Sequence, residues 1–305
     1  MEPTMPLRDL FERYVTLRNL DAKTASLYGM LADRVEQFLG RQATIADLDD
    51  LVISRYLRWR ADTPGWRGKL PKAATVAKDK NMLAAAWTLA AKKKWLTEFP
   101  ELPRIKIPKR LPTGRAYTQD DVAKLVIRAR RRCGKTGGLP SAWWWSTLIY
   151  AAYCTGERFT ALTSIRWAQV DLERCKVVYL GETRKGQTRD IERDITPDLA
   201  KALSAQRREP DDLVWPWDRK SRSQWTSLRL LCRLAGVRYR GFHGFRRTAA
   251  SYAALTGGRA AATKLLDHAD PKMQEVYVDP AICPEERPSL PPLDLDGPEP
   301  PNQPR

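Results

Sequence analysis

Histidine is nearly absent from this chain of 305 residues: there are two, His243 and His268, so any role for imidazole in proton transfer falls on named positions. Cysteine is sparse as well. The five, Cys133, Cys154, Cys175, Cys232 and Cys283, form no C-x-x-C pair, and an odd number does not suggest a disulfide framework, which points to a reducing compartment. Clustered metal ligands and a P-loop are both missing, so no metal and no nucleotide cofactor are expected. No apolar run approaches the roughly 20 residues of a membrane span, and Met1 to Leu7 lack the basic and apolar regions of a signal peptide. The expected location is therefore the cytoplasm. No repeat of fixed period is evident, which argues against a solenoid.

Positive charge, in contrast, is in surplus. Lys and Arg total 53 against 36 Asp and Glu, a net +17, and such a charge attracts polyanions through phosphate neutralisation and counterion release. Solvated helix faces or an anionic membrane would also account for it, so charge alone decides little. A 43% hydrophobic fraction with 11 Trp indicates a folded chain.

From Leu7 to Trp95 apolar residues recur at helical spacing: Leu10, Phe11, Tyr14 and Leu17, then Leu27, Leu31, Val35 and Phe38, then Leu51, Ile53, Tyr56 and Leu57. A long helix over roughly Ala74 to Trp95 sets Met82, Leu83, Ala86, Leu89 and Ala90 on one side and ends in Lys92, Lys93 and Lys94, cations suited to a helix C-terminus. Pro100, Pro103, Pro108 and Pro112 then interrupt regular structure. Arg104, Lys106, Lys109 and Arg110 make that stretch a basic connector.

Beyond Thr118, a helix N-cap, the pattern gives a helix through Leu125 and Ile127, a loop from Cys133 to Pro140, and an apolar helix with Trp143 to Trp145, read as core rather than as a base-stacking platform. Short β-prone runs at Val177 to Tyr179 and Asp190 to Ile195 flank Lys185-Gly186-Gln187, a hairpin signature, and helices resume at Pro197. From Pro284 to Arg305 eight prolines and a net charge of −3 favour an extended tail. The expected organisation is a helical domain over 1–102, a linker over 103–116, a second domain over 117–283 and a tail over 284–305.

Breaking a phosphodiester without a metal takes a nucleophile, cations on the non-bridging oxygens and a proton donor for the leaving oxygen. The second domain offers each. In Thr155-Gly156-Glu157-Arg158, Gly156 suits a helix C-terminus and Arg158 opens the next helix, where backbone N–H groups favour an anion. In His243-Gly244-Phe245-Arg246 an imidazole and a guanidinium three residues apart share one helix face and can meet one phosphate. Leu266-Asp267-His268 follows, and nine residues after His268 stands Tyr277, near the end of the last helical stretch. Taken singly, each has a plain structural reading: Arg158 as a helix cap, Lys185 as a solvated hairpin charge, His268 as a core histidine. Order and spacing together favour chemistry.

In that order Arg158, Lys185, His243, Arg246, His268 and Tyr277 resemble the catalytic set of the tyrosine recombinases and phage integrases, over roughly Leu7 to Asp279. Both histidines of the chain fall on family positions. The run from Thr155 through Ile165-Arg166-Trp167 to Asp171 resembles the family's T-G-x-R helix and the "L-R-W" and acidic residue that follow, and Thr75 to Leu96 resembles the last helix of its core-binding domain. Two departures stand out: Asp267 occupies a position where glycine commonly precedes the histidine, and Glu192-Arg193-Asp194 is unusually charged for a strand.

The resemblance implies a mainly α fold with a small β-hairpin or sheet (α+β), made of a helical core-binding domain and a catalytic domain that clamp duplex DNA. It implies that Arg158 and Arg246 hold the scissile phosphate, that Tyr277 attacks phosphorus to give a 3′-phosphotyrosine, and that His243 takes the phenol proton. Lys185 would protonate the departing 5′-oxygen and His268 would hydrogen-bond the phosphate. Arg184 is expected on phosphate, as are Lys92, Lys93, Lys94, Arg104, Lys106, Lys109 and Arg110. The implied partner is a specific double-stranded DNA site, met by a protein that is a monomer when free and a homotetramer on two sites. Val278, Ile282 and the tail are candidates for docking on a neighbour, and accessory DNA-bending or directionality factors fit the same picture. A type IB topoisomerase and a catalytically silent DNA-binding regulator are the alternatives left open.

Overall fold

The computed structural model describes residues 4–65, 68–108, 113–184, 189–220, 223–267 and 274–284. The chain divides into two compact units, residues 1–110 and 111–305.

Among the described residues the first unit has four α-helices, α1 (Leu7–Leu17), α2 (Ala22–Leu39), α3 (Asp50–Asp62) and α4 (Ala73–Lys92), and one 3-10 turn at Ile45–Asp47. Their starts are written in the sequence, since the Asp21 carboxylate accepts from Thr24 N and that of Asp49 from Leu51 N and Val52 N, groups a helix leaves open. Leu7, Leu10, Leu31, Ile53, Tyr56, Leu83 and Ala86 form its fully buried centre. Leu17 and Leu51, which share the helical spacing, are exposed instead. They stand at the last residue of α1 and in the first turn of α3, where no further turn completes the stripe. Helix α4 stops before Trp95 because Lys94 turns left-handed (φ 59°), with Trp95 N donating to Ala90 O and Lys94 N to Ala91 O, the paired bonds of a Schellman ending. Asp79 on α4 is buried and accepts from Arg34 Nη2 (3.1 Å), Arg60 Nε (3.2 Å) and Tyr56 Oη (3.3 Å), tying α2 and α3 to α4. A carboxylate buried there without those donors would be costly.

The second unit opens with α5 (Gln119–Ala129), whose start is a capping box: Thr118 Oγ1 accepts from Asp121 N and Asp121 Oδ2 from Thr118 N. The stretch from Cys133 to Pro140, expected as a loop, contains a two-stranded hairpin of β1 (Lys135–Thr136) and β2 (Leu139–Pro140). Gly137 and Gly138 turn it at φ 57° and 79°, and a Cβ on Gly137 would lie 2.1 Å from the Pro216 carbonyl oxygen. Helix α6 (Ser141–Thr155) runs through the core. Trp144 and Trp145 on it are fully buried, and Trp144 Nε1 donates to Pro216 O at 2.8 Å, so these rings are core and offer no platform for bases.

After α7 (Phe159–Thr163) comes an antiparallel sheet of order β3 (Val170–Asp171), β4 (Lys176–Tyr179), β5 (Ile191–Asp194). The charges of β5 have a place in its register. Arg193 pairs with the buried Val177 and faces inward, while Glu192, on the other face, forms an ion pair with Lys176. The rest is α8 (Pro197–Ser204), α9 (Ser223–Leu234), α10 (Phe242–Leu266) and α11 (Gln274–Tyr277), with a break in α10 at Gly257 and Gly258. The second unit is thus mainly helical with small antiparallel sheets. Among the described residues no helix is long and apolar enough to cross a membrane.

Candidate active site

The site grows from the C-terminal end of α6. Gly156 closes that helix in the left-handed region (φ 61°), and the chain turns so that Glu157 is buried and Arg158, with extended backbone, becomes the N-cap of α7. Arg158 Nη1 is buried without a hydrogen-bond partner among the described residues. A buried donor left open in this way fits an acceptor from outside the chain.

His243 and Arg246 sit one turn apart near the start of α10. Gly244 between them is required by packing, because a Cβ there would come within 2.6 Å of the Tyr117 ring, which stacks on Phe245 at 4.5 Å. Arg246 is 1% exposed, and its guanidinium donates to Gly156 O (2.7 Å) and Leu266 O (2.9 Å). It therefore joins the end of α6 to the end of α10.

Tyr277, the last residue of α11, is buried against Ala250, Ala254, Ala262 and Leu266. Its ring centre lies 5.2 Å from that of His243, with the Arg246 and Arg247 guanidinium carbons 5.4 and 5.7 Å away. Arg247 Nη1 also donates to Val276 O at 2.5 Å. Burial, and then the charges of Arg247, Arg246 and Arg158, push the His243 pKa below its ordinary value near 6.5. The shift favours the neutral imidazole at neutral pH.

Behind these groups lies a buried ionic network. Glu157 accepts from Arg184 Nη2 (3.3 Å) and Arg193 Nη2 (3.2 Å) and stands 3.8 Å from Arg246 Nη1. Asp267, left-handed at the end of α10 (φ 50°), accepts from Arg184 Nη1 (3.0 Å) and Arg189 Nη2 (2.5 Å). Burial raises the Asp267 pKa, but the hydrogen bonds from Arg189 and Arg184 outweigh it and hold the carboxyl below the usual carboxylate range. Among the described residues Glu157 and Asp267 are paired with Arg184, Arg189, Arg193 and Arg246, so guanidiniums outnumber carboxylates in this network. A surplus of this kind suits an anionic ligand.

The profile described as the phage integrase family matches residues 117–282, more than half of the chain. The chain belongs to the phage integrase family. This integrase-family chain is 25% identical over 195 residues to a Pseudomonas aeruginosa protein named as a tyrosine recombinase XerC, a match covering 59% of this chain and 43% of that relative, so it spans less than half the length of the relative. Solved structures share its fold. The Tn1549 transposon integrase in complex with a circular intermediate DNA aligns at TM-score 0.69 with 13% identity, covering 90% of this chain and 95% of that one. A lambda integrase dimer bound to a COC′ core site aligns at 0.66 with 16% identity over 95% and 100%. A lambda integrase tetramer bound to a Holliday junction aligns at 0.64 with 15% identity over 95% and 81%.

Of the residues singled out in the integrase sequence, Arg158, His243, Arg246 and Tyr277 are brought together. Lys185, His268, Lys109, Arg110 and the tail beyond Pro284 lie outside the described residues. Lys92, Lys93 and Lys94 are exposed at the end of α4, as are Arg104 and Lys106. Arg184 corrects an expectation: it is 1% exposed and held by Glu157 and Asp267, so it has no free surface for a DNA phosphate. Val278 is a second correction, since it packs into its own unit rather than standing free for a neighbour. Sequence reading gave no role to Glu157, Arg193, Arg247 or Asp279. A carboxylate set directly beside Arg158, the expected phosphate-binding arginine, was the available signal for Glu157.

Proposed function

We propose that this chain is a site-specific DNA recombinase that cleaves and rejoins duplex DNA through a covalent bond between Tyr277 and the DNA 3′-phosphate. The observation that carries this reading is the buried Tyr277 ring beside a neutral His243 imidazole, within a cluster holding Arg246 and the open Arg158 Nη1.

In the cleavage step the Tyr277 oxygen attacks phosphorus, the bond from phosphorus to the 5′-oxygen breaks, and the phenol proton passes to His243. Arg158 and Arg246 carry the charge that builds on the non-bridging oxygens, a task suited to planar guanidinium forks. Lys185 delivers a proton to the departing 5′-oxygen and His268 hydrogen-bonds the phosphate; both roles rest on the family resemblance. Rejoining is the same path reversed. Because the phosphotyrosine conserves the bond energy, the chemistry calls for neither ATP nor a divalent metal.

Four strand cleavages complete an exchange, so the reading carries a tetramer on two DNA sites, in keeping with the tetrameric assembly named for a lambda integrase structure. Exposed Lys92 to Lys94, Arg104 and Lys106 are the proposed backbone contacts, and the protein acts in the cytoplasm of the cell that makes it. Covalent trapping tests the reading. The protein is mixed with duplex fragments flanking its own gene and quenched with detergent without metal. A protein–DNA adduct that wild type forms and Tyr277→Phe does not form is the expected result; adducts formed equally by both overturn it.

A further inference from the structure

Tyr277 is the last residue of α11 (Gln274–Tyr277), so the orientation of the phenol depends on what fastens the chain on either side of it. On the N-terminal side of Tyr277 the Arg247 guanidinium grips Val276 O. On the C-terminal side stands Asp279, a carboxylate 1% exposed.

Among the described residues, the hydrogen bonds to the Asp279 carboxylate come from backbone N–H groups. Its Oδ2 accepts from Arg115 N (2.7 Å) and Ala116 N (2.8 Å), and its Oδ1 from Gly114 N (3.0 Å) and Ala281 N (3.1 Å). Three successive N–H groups converging on one anion form a cradle, and Gly114 at φ 69° supplies the curvature. Asp279 N in turn donates to Ser251 Oγ at 2.8 Å, and that hydroxyl donates to the Arg247 carbonyl at 2.7 Å. One continuous set of bonds thus runs from the start of the second unit, through Asp279 and Ser251, to the residue that grips Val276.

We propose that Asp279 is a positioning residue for the nucleophile: its carboxylate, latched onto the amides of Gly114, Arg115 and Ala116, keeps the Tyr277 ring beside His243 and Arg246. The reaction served is the one proposed above, whereas the latch itself is a property of the free protein. A carboxylate bound by several N–H groups is a charge-assisted anchor, and releasing it moves the phenol without removing any group that touches DNA. The expected consequence is a loss of rate at unchanged affinity.

Two variants of the full chain test this. Asp279→Ala removes the anchor, and Ser251→Ala, a milder change, leaves the cradle intact while removing the acceptor of Asp279 N and that hydroxyl's bond to the Arg247 carbonyl. Hydrogen exchange of the free protein is read at the amides of 114–116 and over 274–284. Adduct formation is read as a first-order rate at saturating DNA, alongside the Kd. In Asp279→Ala the amides of 114–116 lose protection while the core of α6 keeps its own. In both variants the adduct rate falls by roughly 10- to 100-fold with Kd within about twofold of wild type, the scale of a displaced reacting group. Unchanged exchange at 114–116 in Asp279→Ala overturns the latch, and so does a wild-type adduct rate in a variant whose 274–284 segment has lost protection. Absence of adducts from the wild-type protein itself would instead count against the recombinase reading, with the exchange measurement still deciding the latch.

Discussion

Arg184 and Asp267 meet at 3.0 Å, joining the connection between β4 and β5 to the C-cap of α10. Arg189 takes the other carboxylate oxygen at 2.5 Å. The two arginines flank residues 185–188, so the chain on either side of Lys185 is pinned to a single side chain. A glycine at 267 would satisfy the left-handed backbone equally well but would supply no carboxylate.

The acid limb of stability follows from that pair. The folded-state pKa of Asp267 lies below its unfolded value near 3.8, so its contribution is present above that value and is lost as pH falls through the folded pKa. Asp267→Asn is expected to lower stability at pH 7 and to flatten the decline in acid. Urea unfolding followed between pH 7 and pH 3 checks it.

Glu157 is fully buried among Arg184, Arg193 and Arg246. Neutralising it leaves those guanidiniums uncompensated, and breaking a buried pair in this way costs about 3–5 kcal/mol. Glu157→Gln is expected to unfold at markedly lower urea concentration than wild type. A midpoint within the error of wild type would show that the network contributes little.

Salt dependence separates structural arginines from DNA contacts. Each phosphate contact contributes about 0.9 to the slope of log K against log salt. Lys92→Ala is expected to reduce the slope by about that amount, while Arg184→Lys, altering a buried group, leaves the slope unchanged and lowers stability. Fluorescence anisotropy over a salt series reads the first, and thermal unfolding the second.

The pH dependence of cleavage reports on His243. Burial and three nearby guanidiniums push its pKa below 6.5, and the neutral imidazole is the form that accepts the phenol proton. Adduct formation is expected to hold steady from pH 8 down to about 6.5 and to fall only in more acidic solution. In His243→Gln that limb disappears. An acidic limb centred above 6.5 would contradict the assignment.

Much of this molecule was legible in its sequence, for physical reasons. The cap at Thr118, Gly156 at a helix C-terminus and the spacing of His243 and Arg246 are local signals, and the local structure follows them. What stayed hidden is long-range. Arg184 reads as a phosphate contact until Glu157 and Asp267, 27 and 83 positions away, close on it. Asp279 shows nothing of its role until the amides of 114–116, more than 160 positions upstream, are brought to it. Charged strand β5 looked anomalous because its partners, Glu157 and Lys176, lie outside it.

The most direct test of the whole account is to identify the residue that carries DNA. The trapped adduct is digested with nuclease and protease, and the nucleotide-bearing peptide is sequenced by mass spectrometry. The account predicts a 3′-nucleotide on Tyr277 and a free 5′-hydroxyl on the released strand; a nucleotide on Tyr252, Tyr179 or any other side chain, or a 5′-linked adduct, would contradict it.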